Sequence, residues 1–139
     1  MFKKILVPTD LTKKNKKALD IAVKIALHDK GQVYLLHVIE TIAYTPFAEL
    51  EEFYRKLEKK AKKYIDTLIT SHKKSALPIE GKIVFGNRAV EILSFAGQNK
   101  IDLIVMNSHK VNPKEPTEDW GTISYKVGIL SQCPVMLVK

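Results

Sequence analysis

The feature that most constrains this chain is the regular alternation of short apolar runs with segments of helical spacing. The runs are rich in Val, Ile and Leu at consecutive positions, which is typical of strands buried on both faces. Five such strands are predicted, at about residues 3–10, 32–40, 80–86, 102–106 and 134–138. Strands that alternate with helices in this way form a doubly wound α/β fold, with one parallel sheet and helices on both faces.

Residues that cap or stop helices bound the intervening segments. Thr12 is expected to cap the first helix, and Gly31 supplies its stop. Asn87 is expected to cap a short helix that reaches about Ala96. A last helix is predicted to open at Gly121 and Thr122, with Ile123, Val127 and Leu130 at i, i+4 and i+7.

The longest predicted helix spans about residues 47–72. Its apolar residues are expected to form one buried stripe: Leu50, Phe53, Leu57, Ala61, Tyr64 and Leu68. Two pairs of opposite charge at i,i+4 are expected on its solvent side: Glu52 with Lys56, and Glu58 with Lys62.

Length and composition indicate one domain, residues 1–139, with a core large enough to fold without disulfides or a structural metal. No apolar run approaches the roughly 18 residues of a membrane span, and the apolar stretch at the start is too short for a signal peptide. The expected compartment is the cytoplasm. Cys133, the single cysteine, excludes an internal disulfide, and its apolar setting favours a buried structural thiol.

The net charge of +8 raises the question of nucleic acid. Only Arg55 and Arg88 are arginines, whereas the other 21 basic residues are lysines. Base readout depends on bidentate arginine, and single-strand binding depends on interleaved aromatic residues. The lysines instead cluster on predicted helices, around residues 13–17 and 59–63. This pattern favours a solvated helix face over a weak contact with an anionic surface.

The chain lacks the common catalytic signatures. It has no G-x-x-x-x-G-K-(S/T) loop, no G-x-G-x-x-G, no H-E-x-x-H and no G-x-S-x-G elbow. Its four histidines are scattered without metal-ligand spacing. We therefore expect no catalysis beyond a slow, incidental hydrolysis, and no metal site.

Four segments together resemble the universal stress protein family: "ILVPTDLT", "VFGNRAVEIL", "DLIVMNSHK" and "SQCPVMLVK". Their order and spacing extend the resemblance over essentially the whole chain. It implies a five-stranded parallel sheet in the order 3-2-1-4-5, usually paired into a dimer. One branch of the family holds ATP in the crevice between the first and fourth strands, and another branch has lost the nucleotide.

The nucleotide-binding branch of that family carries the motif G-x2-G-x9-G-(S/T). This chain keeps its second half as Gly121 and Thr122 but has Asn107 and Lys110 in place of the first two glycines. Ten residues, rather than nine, separate Lys110 from Gly121. The resemblance therefore implies a partly degenerate nucleotide motif.

The half of the motif that this chain retains, Gly121 and Thr122, has a physical reason to bind phosphate. Gly121, Thr122, Ile123 and Ser124 are expected in the first helical turn, whose N–H groups lack intrahelical partners and favour an anion. The hydroxyls of Thr122 and Ser124 can donate to it. The alternative is that these two residues only cap the helix.

The half of the motif that differs, with Asn107 and Lys110 in place of glycines, argues against tight nucleotide binding. Asn107 tolerates the left-handed backbone that glycine allows, so this change is mild. The side chain of Lys110 would fill the phosphate cradle, or would instead point its ammonium at a phosphate. Glu115, Glu118 and Asp119 add negative charge to the same loop.

Asp10 ends the first predicted strand, where a carboxylate can accept hydrogen bonds from ribose hydroxyls or an adenine amino group. The alternative is a turn or helix-start role beside Thr12. The resemblance implies that Asp10 does this work and that Val38 lines the adenine pocket. His109 is either a donor to a phosphate or a solvated loop residue. The complete predicted nucleotide site is Pro8, Thr9, Asp10, Val38, Met106, Asn107, His109, Lys110, Gly121, Thr122, Ile123 and Ser124.

Two functions remain open from the sequence. The first is a binding and signalling module that holds ATP or AMP weakly, with Mg²⁺ present only alongside ATP. The second is a protein-interaction dimer on the same fold that binds no nucleotide. Both predict a homodimer through the last strand, because an apolar edge strand needs a cover. The predicted contact residues are Pro134, Val135, Met136, Leu137 and Val138.

Overall fold

The computed structural model describes residues 1–108, 114 and 123–139. Five strands are formed: β1 (Lys4–Pro8), β2 (Gln32–Glu40), β3 (Ile79–Gly86), β4 (Leu103–Asn107) and β5 (Val135–Val138). In the described part of the chain four α-helices alternate with them: α1 (Asn15–His28), α2 (Glu51–Ser71), α3 (Arg88–Gln98) and α4 (Ile123–Leu130). Two short 3₁₀ turns, Phe47–Leu50 and Lys73–Ser75, flank α2.

All neighbouring strands pair in parallel, in the order β3-β2-β1-β4-β5. This confirms the predicted fold and strand order. Ile5 of β1 lies opposite Val33 of β2 on one side and opposite Leu103 of β4 on the other. The order therefore reverses at β1, and the carboxyl ends of β1 and β4 border the crevice at which doubly wound sheets bind ligands.

Each face of the sheet has its own apolar cluster. The cluster beneath α1 and α2 contains Ile5, Val7, Ala18, Leu19, Ala22, Val33, Leu35, Ile65, Leu103, Val105 and Val138 among its buried members. The cluster beneath α3 and α4 contains Leu6, Leu36, Val38, Ile92, Ile101, Ile104, Met106 and Val127. Consecutive residues of the central strands thus belong to opposite clusters, as strands buried on both faces require.

The buried stripe of α2 differs from the predicted one. Tyr54 is fully buried and Phe53 is half-exposed, so the expectation that Phe53 faces the core is wrong. The ring of Tyr54 stacks on Phe47, with centroids 4.9 Å apart, and its hydroxyl accepts a hydrogen bond from the backbone N–H of Ile42 at 2.8 Å. These contacts fix the start of α2, and the stripe continues through Ala61 and Leu68 as predicted, with Ile65 between them.

The ion pairs on α2 also differ from the predicted pairs. Arg55 contacts Glu58 at 3.2 Å and Glu51 at 3.7 Å, and Lys62 contacts Asp66 at 3.9 Å. Each of these charged groups is at least one-third exposed, so the pairs add little to stability.

One of the two predicted helix caps is confirmed. The side chain of Asn87 accepts a hydrogen bond from the N–H of Val90 at 3.1 Å and caps α3. The expectation that Thr12 caps α1 is wrong, because that helix begins at Asn15 after Lys14 and has no side-chain cap. The hydroxyl of Thr12 instead donates to Asp10 at 2.7 Å.

The two edge strands differ in chemistry. On β3, Lys82 and Glu80 form an ion pair of 3.0 Å. On β5, Met136 and Leu137 are 38% and 36% exposed, whereas Val138 is only 5% exposed and belongs to the first cluster. Val138 is thus part of the core of its own chain, and the exposed apolar surface of the strand comes from the two residues before it.

Two apolar residues near the end of the chain are partly or largely exposed. Leu130 is 62% exposed, although Val127 of the same helix is buried. Cys133 is half-buried rather than buried; it packs against the second cluster and lies 3.4 Å from the hydroxyl of Ser131. None of the described helices is long and apolar enough to cross a membrane.

Candidate functional site

A crevice of about 760 Å³ opens at the carboxyl ends of β1, β2 and β4, with α1, α3 and α4 around it. This volume lies within the range of small-molecule sites in proteins. Eight predicted site residues line it: Pro8, Thr9, Asp10, Val38, Met106, Asn107, Ile123 and Ser124. The other four, His109, Lys110, Gly121 and Thr122, lie outside the described residues.

Asp10 forms a turn between β1 and α1. Its Oδ1 accepts hydrogen bonds from the backbone N–H of Thr12 at 3.0 Å, from the hydroxyl of Thr12 at 2.7 Å and from the side-chain amide of Asn15. Among the described residues, none donates to Oδ2 of Asp10. The local turn role that the sequence left open is therefore real, and it occupies one carboxylate oxygen.

The charge of Asp10 is stabilised by that turn. Partial burial raises the pKa of the Asp10 carboxyl, but the hydrogen bonds from Thr12 and Asn15, with a contribution from the charge of Arg88, lower it more. The net pKa lies below the ordinary value, so this carboxylate is ionised at neutral pH.

Thr9 is buried and is held on three sides. Its N–H donates to the carbonyl of Leu36 at 2.8 Å, and its hydroxyl accepts from the N–H of Leu11 at 3.2 Å. Its carbonyl accepts from Nδ1 of His37 at 2.8 Å. The strand predicted over 3–10 therefore ends at Pro8, and Thr9 and Asp10 belong to a fixed turn at the mouth of the crevice.

The opposite wall is formed by the end of β4 and the start of α4. Ser108 and Ser124 are both buried, and their hydroxyls lie 3.0 Å apart. The N–H of Ser108 donates to the carbonyl of Val138 at 2.8 Å, and Nζ of Lys139 donates to its hydroxyl at 3.3 Å. The last residues of the chain thus contact the wall on which phosphate binding was predicted.

Several residues of the crevice were not predicted from the sequence: Lys13, Lys14, Asn15, Lys17, Leu36, Arg88, Ile92, Ser108 and Lys139. Ser108 lies two residues after the predicted end of the fourth strand, so its position carried a signal. Arg88 contacts Glu40 at 3.1 Å across the ends of β2 and α3, a pairing that only the tertiary fold creates. Among the described part of the chain, no three His, Cys, Asp or Glu side chains converge in a way that could hold a metal ion.

Comparison with known proteins places this site in a family context. The family model described as Universal stress protein family matches residues 1–139. Universal stress protein YxiE of Bacillus subtilis is 29% identical over 149 residues, covering 100% of both chains. The solved structure of hypothetical protein MJ0577 is 31% identical, covers 100% of this chain and 96% of that one, and has a TM-score of 0.80.

Two more distant solved structures hold nucleotides. The universal stress protein from Archaeoglobus fulgidus in complex with dAMP is 18% identical, with a TM-score of 0.71, and covers 99% of this chain and 98% of that one. A universal stress protein in complex with cAMP is 19% identical, with a TM-score of 0.71, and covers 99% and 97%. At these identities the likeness shows the shared fold.

Proposed function

This chain belongs to the universal stress protein family, and from that premise we propose that it binds an adenine nucleotide weakly in the crevice between β1 and β4. Residues 1–139 would act as one domain, with the role in stress response that the family name implies. The observation that carries the proposal is the convergence of eight predicted residues on one crevice of about 760 Å³.

The base end of the site is apolar with a polar rim. Leu36, Val38 and Ile92 line it, and all three side chains are buried in the second cluster. An adenine ring offers apolar faces and a polar edge, which suits a site with few polar groups. At the rim, Oδ2 of Asp10 would accept a hydrogen bond from a ribose hydroxyl or from the adenine amino group.

The phosphate end would lie at the start of α4. Ile123 and Ser124 line the crevice in the first turn of that helix, where the positive end of the helix dipole favours an anion. Gly121 and Thr122 would complete this end. Asn107 and Lys110 replace two glycines of the family motif, which is why we propose weak binding.

The ligand class is supported by the two related structures in complex with dAMP and cAMP. Both ligands combine adenine with a single phosphate group. For this chain we propose ATP or AMP, with Mg²⁺ present only as the companion of ATP phosphates. The cytoplasmic location remains a prediction from the sequence.

A thermal-shift measurement with ATP, AMP and cyclic AMP tests the proposal. A ligand that binds only the native state raises the melting temperature, by an amount that grows with its concentration relative to Kd. We expect a rise that is still increasing at millimolar nucleotide, followed by a measurable Kd in calorimetry. An Asp10→Ala variant is the matched control, since loss of the carboxylate proposed to accept from ribose or adenine should reduce the shift. An unchanged melting temperature with all three nucleotides would contradict the proposal.

A second function is favoured by the exposed edge of β5. Met136 and Leu137 place apolar surface on a strand whose outer edge has no partner among the described residues. Such an edge is suited to a second copy of the chain. We therefore propose a homodimer through β5, which would serve a nucleotide-dependent signal or a nucleotide-free protein interaction. The thermal-shift result distinguishes these two uses.

A further inference from the structure

A line of hydrogen bonds joins the start of α4 to the start of α1. The hydroxyl of Ser124 lies 3.0 Å from that of Ser108, and Nζ of Lys139 donates to Ser108 at 3.3 Å. Nζ of Lys17 in turn donates to the backbone carbonyl of Lys139 at 3.1 Å. Two ammonium groups therefore lie next to the end of the crevice at which the proposed function places phosphate.

The start of α1 adds two further lysines to this region. Lys13 and Lys14 line the crevice together with Lys17, and the first turn of α1 contains no acidic residue. Cations at the N-terminal end of a helix are disfavoured by the helix dipole. A bound polyanion would relieve this repulsion, so the local charge pattern is better suited to the ligand-bound state than to the empty one.

Among the residues that the structure describes, the charged side chains lining the crevice are mostly cationic. Its described lining has five cationic side chains, Lys13, Lys14, Lys17, Arg88 and Lys139, against the single carboxylate of Asp10, a net charge of +4. Arg88 is already paired with Glu40 at 3.1 Å. We call the four lysines of this lining, Lys13, Lys14, Lys17 and Lys139, the lysine rim.

We infer that the lysine rim binds the second and third phosphates of the nucleotide, so that the crevice selects its ligand by phosphate number. The inference rests on the proposed function. A glycine cradle binds phosphate through closely approaching backbone N–H groups, and this chain lacks two of the three glycines. Lysine ammonium groups are point charges on flexible stems, so they bind phosphate without that close backbone approach.

The ligand class follows from this geometry. A monophosphate occupies the start of α4 and leaves the lysine rim without a phosphate of its own. A diphosphate or triphosphate extends from α4 toward Lys139 and Lys17. Affinity should therefore rise from AMP to ADP to ATP, and inorganic tripolyphosphate should compete with ATP.

Calorimetry on four proteins tests the inference: wild type, Lys17→Gln with Lys139→Gln in one chain, Lys139→Gln alone, and Lys24→Gln. Lys24 is an exposed lysine of α1 that does not line the crevice, so its variant controls for the loss of net charge. Each protein is titrated with AMP, ADP, ATP and tripolyphosphate at one fixed ionic strength. A thermal melt of each variant without ligand checks that folding is retained.

We expect the wild type to bind ATP about tenfold more tightly than AMP, as two additional exposed charge contacts would give. In the double variant, the ratio of ATP affinity to AMP affinity should fall most of the way to one. Lys139→Gln should lose about half of this preference on a logarithmic scale, and Lys24→Gln should keep all of it. Added salt should reduce the ratio, because exposed charge pairs are screened.

The outcomes separate the two proposals. AMP and ATP binding equally to the wild type, or a ratio unchanged in the double variant, would overturn the lysine rim and leave nucleotide binding in place. Tripolyphosphate binding that is lost in the double variant, without measurable AMP binding, would support the rim and contradict the adenine site. Failure of all four ligands to bind the wild type would overturn both.

Discussion

Nδ1 of His37 on β2 donates a hydrogen bond to the backbone carbonyl of Thr9, 2.8 Å away, and so ties the second strand to the turn that follows the first. Because a carbonyl can only accept, this contact requires the proton of a neutral ring to be on Nδ1. Burial lowers the pKa of His37 below its ordinary value of 6.5, against the opposing effect of the Thr9 carbonyl.

That lowered pKa predicts a pH-dependent stability. Below about pH 6.5 the unfolded chain protonates this histidine while the folded chain does not, so stability should fall as pH drops through 6.5 and level off below the folded pKa. A His37→Gln variant cannot titrate there and should show a smaller loss between pH 7.5 and 5.5. Chemical denaturation of both proteins at those two pH values measures the difference. Equal losses would contradict the assignment, since the other histidines are common to both proteins.

Asp10→Ala should reduce both stability and nucleotide affinity. The substitution removes the acceptor of three local hydrogen bonds, and it removes the oxygen proposed to bind the ribose or adenine. We expect a loss of about 1 kcal/mol in unfolding free energy and about tenfold in affinity. Thr12→Val is the matched control, because it removes a turn donor and keeps the carboxylate. It should lose stability and retain affinity, and an equal loss of affinity in both variants would assign Asp10 to the turn alone.

Lys110→Gly should tighten ATP binding, and Asn107→Gly added to it should tighten binding further. These changes restore the two glycines at which the family motif lets the backbone approach a phosphate. Asn107 ends β4 at the crevice, and Lys110 lies outside the described residues. Calorimetry on wild type and both variants measures the effect. A loss of about 1.5–3 kcal/mol in Lys110→Gly would instead show that its ammonium binds a phosphate directly.

Met136→Glu and Leu137→Glu should each weaken the proposed dimer without unfolding the chain. Both side chains are more than one-third exposed at the edge strand, so a charge there meets a partner rather than the core. Val138 is also one of the predicted contact residues, but it is 5% exposed, and a charge there would unfold the chain. Val90→Glu on α3, where Val90 is 59% exposed, controls for a surface charge elsewhere. A wild type that sediments as a monomer at micromolar concentration would contradict the prediction.

The sequence predicted the fold class because strands buried on both faces leave continuous apolar runs, whereas the strand order came from the resemblance to the family. It was less informative for α2, where Phe53 and Tyr54 are adjacent and both suit a core. The choice between them depends on Phe47 and on the N–H of Ile42, which only the tertiary structure brings to Tyr54.

In the candidate site, too, some positions were predictable from the sequence and others depend on tertiary contacts. Pro8, Thr9 and Asp10 end a strand, so their position at the crevice could be predicted from the topology. Lys17 and Lys139 are separated by more than a hundred residues in the chain and contact each other only because α1 and the end of β5 flank the same corner. No spacing rule would have paired them, and lysines on a predicted helix are most simply interpreted as a solvated face.

The hydroxyl of Ser108 accepts a hydrogen bond from Nζ of Lys139, and its backbone N–H donates to the carbonyl of Val138, the last residue of β5. One residue of the crevice wall therefore contacts both a lysine of the crevice and the edge strand. Ligand and partner would then act on adjacent residues of one segment. Thermodynamic linkage makes any such effect reciprocal: if a nucleotide changes the dimer dissociation constant by some factor, dimerisation changes the nucleotide affinity by the same factor. A nucleotide titration at two protein concentrations would therefore measure the coupling between occupancy and assembly.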